Sequence, residues 1–374
     1  MMINTSSSPT RAASSSSSSS SPSHNKPFDE EWGSVPRWST WPKKLRIPRF
    51  RKSTVILAFI DIAIVLLLVH AFEPLITLLR RNEELFGARL TLPLNDTVSG
   101  NASPDKQTIP RIFHQTAATD KVPDAWVASH KSCQDAYSKF EYKYWTDELA
   151  RNFIETEYNW FLDTWDNLPF NIQRADAIRY FVLYHFGGIY LDMDTLCNNT
   201  IPFALLEADG AEHHAVFKST TPTGVSNDLM ISSARHPAFK AAITRLPFFV
   251  QITSPWANLL PHAAVMVSAG PFFLTQVIKD YLLELPELPS PTISVINETE
   301  LIPYITDLEG RSWHHGDTKT LMWLGDRPWI WFALGAVGLA IGLHIINHLL
   351  MLSTRCFCCD STAGGDYEKI AKQN

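Results

Sequence analysis

Cysteine is scarce: five in 374 residues, too few and too scattered for a small disulfide-built scaffold. Positive charge is scarce too. Thirty-eight Asp and Glu against thirty-two Lys and Arg leave a formal net charge of −6. That excludes the basic face of a nucleic-acid binder, and no nucleic-acid partner is expected. Sixteen Gly and twenty-four Pro exclude a collagen-like chain. Charge of either sign vanishes from residues 328–354, and residues 53–72 carry only Asp61.

What is present divides the chain into parts. Residues 5–27 are mostly Ser, Thr, Pro and Ala, with an unbroken serine run from Ser14 to Ser21. Such a segment cannot bury enough apolar surface to offset its ordering entropy, so disorder is expected. Seven Lys and Arg and no acid lie between Arg37 and Lys52, completing a cytosolic segment over residues 1–52. About 20 apolar residues cross a bilayer as a helix, so residues 53–72 and 328–354 read as transmembrane helices. Trp329 and Trp331 stand at the entry of the second and Arg355 at its exit, where interfacial residues belong. A carboxyl near mid-membrane costs roughly 2.5–3.5 kcal/mol, so Asp61 is expected either protonated or paired with another helix. The basic cluster before the first span places the N-terminus in the cytosol. Two spans then return residues 355–374 there, leaving 73–327 on the other side. Sequons at Asn95, Asn101, Asn198 and Asn297 agree with that side, although Asn4-Thr5-Ser6 also matches. Cys356, Cys358 and Cys359, just past the second span, suit S-palmitoylation. Cys133 and Cys197 face an oxidising compartment, and the sequence leaves open whether they are bridged.

After a stem over 73–107, residues 108–327 alternate short strands with helices. Strands are expected at 111–116, 140–145, 189–191, 215–217 and 229–231. Helices are expected at 124–136, 147–158, 171–186, 237–246 and 272–285. Gly187-Gly188 is a stop signal for the helix over 171–186. This alternation predicts an α/β domain with a mostly parallel sheet covered by helices on both faces. In such sheets ligands bind at the carboxyl ends of strands, where Gln115, Thr116, Asp192 and Asp194 fall.

Two carboxylates one residue apart at a strand end suit a hard divalent ion, Mn²⁺ or Mg²⁺, shared with substrate phosphates. Upstream, Asp176 and Arg179 share one face of an otherwise apolar helix. A buried ion pair with no ligand to serve is costly.

The block from Asp176 and Arg179 through Gly187-Gly188 to Asp192-Met-Asp194 resembles glycosyltransferase family 32. So do IPRIFHQT at 109–116, Ser226-Asn227-Asp228, His236-Pro237, Ala269-Gly270-Pro271 and GRSWH at 310–314. The resemblance implies a GT-A-type, Rossmann-like nucleotide-sugar transferase domain, a metal-dependent reaction and retention of sugar configuration. The two flanking spans resemble the fungal mannosyl phosphorylinositol ceramide synthases. Those imply GDP-mannose as donor, inositol phosphoceramide as membrane acceptor, a Golgi membrane location with the domain lumenal, and a membrane regulatory subunit as partner. By the same resemblance Asp192 and Asp194 hold the metal, with His314 as a further ligand, and Asp176 and Arg179 bind the donor sugar. Gln115 and Thr116 line the nucleotide pocket, and Trp313 and His314 close over the diphosphate. Asn227 and Asp228 sit near the transferred sugar and the acceptor. His315 beside His314 leaves the useful imidazole open.

Other readings compete. The string LDMDT at 191–195 also matches the nucleophile motif of haloacid-dehalogenase-like phosphatases, although no downstream acidic motif with its Lys follows. A family 32 transferase using another nucleotide sugar or a glycan acceptor, or an inactive membrane regulator, would share most of these residues.

Overall fold

The computed structural model describes residues 52–92, 107–207, 211–221, 223–308, 320, 323 and 327–370. The chain divides into two compact units at Val55 and Ile56, and among the described residues the elements that follow belong to the second, apart from the first residues of the opening helix. In chain order the elements open with α1 (Lys52–Arg80), α2 (Asn82–Phe86), β1 (Arg89–Leu90) and β2 (Ile112–Ala117). Next come α3 (Val127–Ala136), β3 (Glu141–Thr146), α4 (Asp147–Glu157), α5 (Asn159–Asp166) and α6 (Asn171–Phe186). The middle holds β4 (Gly188–Leu191), β5 (Thr195–Cys197), α7 (Phe203–Leu206), β6 (Ala215–Ser219) and β7 (Val225–Ser232). The rest is α8 (Pro237–Thr253), α9 (Pro261–Ser268), α10 (Pro271–Leu283), β8 (Ile293–Ile296), α11 (Glu298–Leu301), β9 (Ile305–Asp307) and α12 (Pro328–Ile370).

Seven strands form one sheet in the order β1-β8-β6-β7-β4-β2-β3, and β5 pairs with β9 apart from it. The sheet is parallel except at β7, which runs antiparallel to both β4 and β6. Strand residues alternate between faces, and here both faces are covered. Tyr190, Phe217 and Met230 enter the core beneath α6, α8 and α10. Ile189, Leu191, Val216 and Leu229 enter a second core with Phe113, Cys133 and Cys197.

Gly187 and Gly188 turn α6 directly into β4 with φ of 70° and 98°, in the left-handed region that glycine tolerates best. A Cβ on Gly188 would lie 2.3 Å from the Ile112 carbonyl oxygen, so only glycine lets β4 reach its partner β2. Cys133 of α3 and Cys197 of β5 are bridged.

Residues read as a stem partly belong to the domain. Helix α1 runs to Arg80, Leu78, Leu85 and Phe86 are buried, and β1 pairs with β8. Among the described residues, three stretches are long and apolar enough to cross a membrane: Thr54–Arg80, Pro261–Leu283 and Phe332–Leu352. The middle one comprises α9 and α10, and 61% of its most apolar 18 residues are buried, which makes it a core element, whereas none of the most apolar 18 residues of the other two is buried. Between those two, Asn347 Nδ2 donates to both Asp61 oxygens at 3.1 and 2.9 Å.

Candidate active site

The site forms where β4 ends. Its last residues run into the turn Asp192-Met193-Asp194, pinned from three sides. The Asp192 amide donates to the Asp228 carbonyl at 3.0 Å, the Ser129 hydroxyl to the Met193 carbonyl at 2.6 Å, and the Leu308 amide to the Asp194 carbonyl at 2.9 Å. The disulfide ties α3 to β5, the strand that leaves the turn.

Arg179 organises the carboxylates. It lies 2.8 Å from Asp176 and 3.2 Å from Asp192, donates to the Asn227 carbonyl at 2.7 Å, and its guanidinium sits 4.7 Å above the Tyr190 ring. Tyr190 donates its hydroxyl to Asp192 at 2.7 Å, and Asn227 donates to Asp176 at 3.0 Å. Burial pushes the Asp176 carboxyl up to about 7, against the pull of Arg179. Burial likewise raises Asp192, again opposed by Arg179. Burial works against the Arg179 charge, yet Asp192, Tyr190 and Asp176 hold it above an ordinary arginine. The side chain of Asp192 stays 29% exposed while that of Asp176 is 8% exposed. Asp192 is thus oriented from behind and open in front.

Two hollows meet at this turn. The first, of about 360 Å³, is walled by Trp126, Trp145 and Trp165, with Thr116, Arg174 and Arg179 among its polar groups. The second, of about 210 Å³, is lined by Asp176, Asn227, Asp228 and Asp307 with Val265 and Met266. Both touch Ile172, Arg179, Asp192 and Asp194. Flat aromatic faces beside cations suit a nucleotide, and carboxylates suit hydroxyl-rich sugars. Asp192 and Asp194 face both hollows, and no cluster of three His, Cys, Asp or Glu able to hold a metal occurs among the described residues. This donor set fits a hard divalent ion completed by phosphate oxygens and water.

Thr116 lines the first hollow, 2.9 Å from the Tyr190 hydroxyl. Gln115 does not line either: its side chain is fully buried and accepts from Tyr142 at 3.2 Å. Asn227 and Asp228 line the second hollow. Trp313 and His314, with His315, lie outside the described residues.

Three participants were not anticipated. Lys218, buried on β6, bonds Asp228 and lies 3.4 Å from Asp307. Burial lowers its pKa, but Asp228 and Asp307 outweigh that and raise it. A lone cation in an apolar strand was the available signal. Asp307 itself arrives from β9. His114, fully buried on β2, accepts from Trp145 Nε1 at 3.1 Å, and its Nε2 lies 2.9 Å from the Gly187 carbonyl oxygen. Burial pushes this imidazole down to about 4, so it stays neutral and braces a wall of the first hollow.

Residues 123–214 match the family model described as a glycosyltransferase sugar-binding region containing a DXD motif. The chain is 40% identical over 237 residues to inositol phosphoceramide mannosyltransferase 2 of Schizosaccharomyces pombe, covering 62% of this chain and 64% of that one. It is 36% identical over 246 residues to mannosyl phosphorylinositol ceramide synthase SUR1 of Saccharomyces cerevisiae, covering 62% and 61%. To the synthase CSH1 of the same yeast it is 34% identical over 276 residues, covering 72% and 70%. It therefore spans a little under two thirds of the first two relatives and more than two thirds of the third. Among solved structures, the PaToxG glycosyltransferase matches with a TM-score of 0.36 and 14% identity, over 48% of this chain and 72% of that one. With a DXD turn at the junction of two hollows and relatives of this identity and coverage, the chain belongs to the DXD-motif glycosyltransferase family that includes the inositol phosphoceramide mannosyltransferases.

Proposed function

We propose that this chain is a membrane-bound, retaining mannosyltransferase that moves mannose from GDP-mannose to inositol phosphoceramide. The observation that carries the reading is the shared wall: one carboxylate pair serves an aromatic hollow on one side and a carboxylate-lined hollow on the other. In this reading the domain is of the GT-A type. The first hollow takes the guanosine between Trp126 and Trp145, and Asp192 and Asp194 hold Mn²⁺ or Mg²⁺ against the diphosphate. When bound, that ion neutralises charge developing on the leaving diphosphate. Arg179 adds a fixed cation at the same wall, preorganised by Asp176 and Tyr190. Asp176 and Asn227 orient the sugar hydroxyls, and Asp228, held by Lys218, orients the accepting hydroxyl of inositol.

The abundance of carboxylates in the second hollow repels a phosphodiester. The acceptor therefore presents its neutral polyol ring inward and keeps its phosphate at the mouth. Helices α1 and α12 span the bilayer, with the domain in the Golgi lumen and both termini cytosolic. Spans that confine the acceptor near the site reduce the orientation entropy lost in the reaction. Family membership removes the phosphatase reading of the same turn.

The test supplies GDP-mannose, UDP-glucose and UDP-galactose separately to the full chain in nanodiscs containing inositol phosphoceramide and Mn²⁺. A mannosylated lipid formed only from GDP-mannose is expected. Transfer from a UDP-sugar alone, or only to a soluble glycan, sinks the substrate assignment and leaves the transferase standing. Protease protection of the domain in sealed microsomes tests the topology.

A further inference from the structure

The sequence holds no Asp, Glu, Lys or Arg between Arg245 and Lys279. Much of that run is core, yet one shoulder of it is bare. Phe248 is 60% exposed, Ile252 44%, Leu259 78% and Leu260 41%. Phe248 and Ile252 stand one turn apart on the same side of α8. Trp256 folds back on the last turn of α8, donating Nε1 to the Ile252 carbonyl at 2.9 Å, and the amides of Leu259 and Leu260 return to the Trp256 carbonyl. The exposed side chains thus flank the corner at which α8 turns toward α9, a corner closed by these bonds. Helix α9 follows directly, and its Val265 and Met266 line the second hollow.

A chain of contacts relates this corner to the point where α1 leaves its most apolar stretch. Lys279 donates to the Pro74 carbonyl at 3.2 Å, just past residues 53–72. Its neighbour Asp280 pairs with Arg245 at 2.6 Å, and Phe248 lies three residues beyond Arg245. Charged groups thus occupy the level at which α1 would meet headgroups, and the exposed apolar corner begins less than a turn away. Exposed apolar side chains beside headgroup-level charges are the pattern of a surface that dips into the acyl boundary.

We propose that the corner carrying Phe248, Ile252, Leu259 and Leu260 inserts into the bilayer surface and forms the lipid-side lip of the second hollow. Its occupant is the acyl region of membrane phospholipid. Leu260 immediately precedes α9, whose Val265 and Met266 line the hollow, so a lipid-anchored acceptor would reach it without leaving the membrane. The lip role rests on the substrate proposed above, whereas the bilayer contact rests only on α1 spanning the membrane.

The experiment uses the full chain in phosphatidylcholine nanodiscs doped with a phosphatidylcholine bearing a diazirine on its acyl chain. Photolysis and peptide mapping should give lipid adducts within residues 247–260 as well as in α1 and α12. Adducts confined to α1 and α12 overturn the proposal, as does cross-linking of 247–260 to another segment of the chain or to a second copy. The paired variant Phe248→Asp, Leu259→Asp should lose these adducts. It should also lose roughly tenfold or more in transfer to the bilayer acceptor while donor hydrolysis, which reports folding, is unchanged. Undiminished lipid transfer by that variant overturns the lip. Adducts at 247–260 in a protein that transfers no mannose support the bilayer contact and count against the substrate reading alone.

Discussion

The two hollows share Ile172, Arg179, Asp192 and Asp194, and beyond that wall they are built from opposite materials. The first is made of indole faces from the residue before α3, from β3 and from α5, with Arg174 and Asp147 for charge. The second is made of carboxylates from α6, β7 and β9, closed by the apolar side chains of α9. Elements on both sides of the sheet order converge on one turn, so a single substitution there should disable two sites, and substitutions elsewhere should disable one.

The largest effect is therefore expected at the wall. Asp192→Ala or Asp194→Ala should lower both donor hydrolysis and lipid transfer by about 10²–10³-fold, the scale of losing one preorganised charge-stabilising group. Both rates are read on one preparation. If hydrolysis survives while transfer is lost, the wall serves only the acceptor side and the comparison collapses.

The wall was the part most legible in the sequence, because its signals are local. Helix α6 occupies the residues expected of it, bounded by Gly187-Gly188, and the Asp192 turn follows four residues on. Strand alternation also separates the two residues expected at the first strand end. Gln115 and Thr116 are adjacent on β2, and successive strand residues face opposite sides. Only one of them could enter the hollow, and it is Thr116. The second hollow was nearly illegible. Asp307 reaches the site on β9, over a hundred residues after Asp192, and β9 was not anticipated because its three residues carry no run of alternation. Lys218 did leave a trace, as a charge in a buried strand that requires a partner, but nothing local names Asp228 and Asp307 as the partners. The stem misled for a related reason: Leu85, Phe86 and Leu90 are too sparse to read as core until β8 is seen beside them.

The next effects separate the hollows. Lys218→Met strands two carboxylates whose side chains are 24% and 41% exposed, so thermal stability should drop, but by less than the about 3–5 kcal/mol of a fully buried pair. Adding Asp228→Asn should restore much of it, since removing both partners is far cheaper than removing one. Calorimetry of the single and double variants tests the coupling, and additive losses would deny it. On the other side, Trp126→Ala should weaken donor-nucleotide binding by about 10- to 100-fold, a stacked base being worth about 1–3 kcal/mol. The acceptor KM should not move. Titration calorimetry with the nucleotide alone isolates this effect, and an unaltered affinity would remove the base from this hollow.

The smallest effect is a difference in how pH reaches the two sides. Asp176, in the second hollow, has its carboxyl raised by burial to about 7, above the unfolded value of about 3.9. The folded protein therefore holds that proton more tightly. The resulting stabilisation is complete below about pH 4 and is lost as pH rises through 7. His114, behind Trp145 of the first hollow, is lowered by burial to about 4, below the unfolded value of about 6.5. Its contribution is complete above about pH 6.5 and is lost as pH falls through 4, when protonation of Nδ1 removes the acceptor for the Trp145 indole. Between pH 4 and 6.5 the two slopes oppose, which makes the wild-type melting curve uninformative and the variants decisive. Relative to wild type, the Tm of Asp176→Asn should improve as pH rises from 4 to 7, while the deficit of His114→Gln should deepen over the same interval. One kcal/mol moves the Tm of a domain of this size by about 2–4 °C, so differential scanning calorimetry at pH 4.5, 5.5 and 6.5 resolves the divergence. Two difference curves of the same sign would mean that the hollows respond to protons as one site.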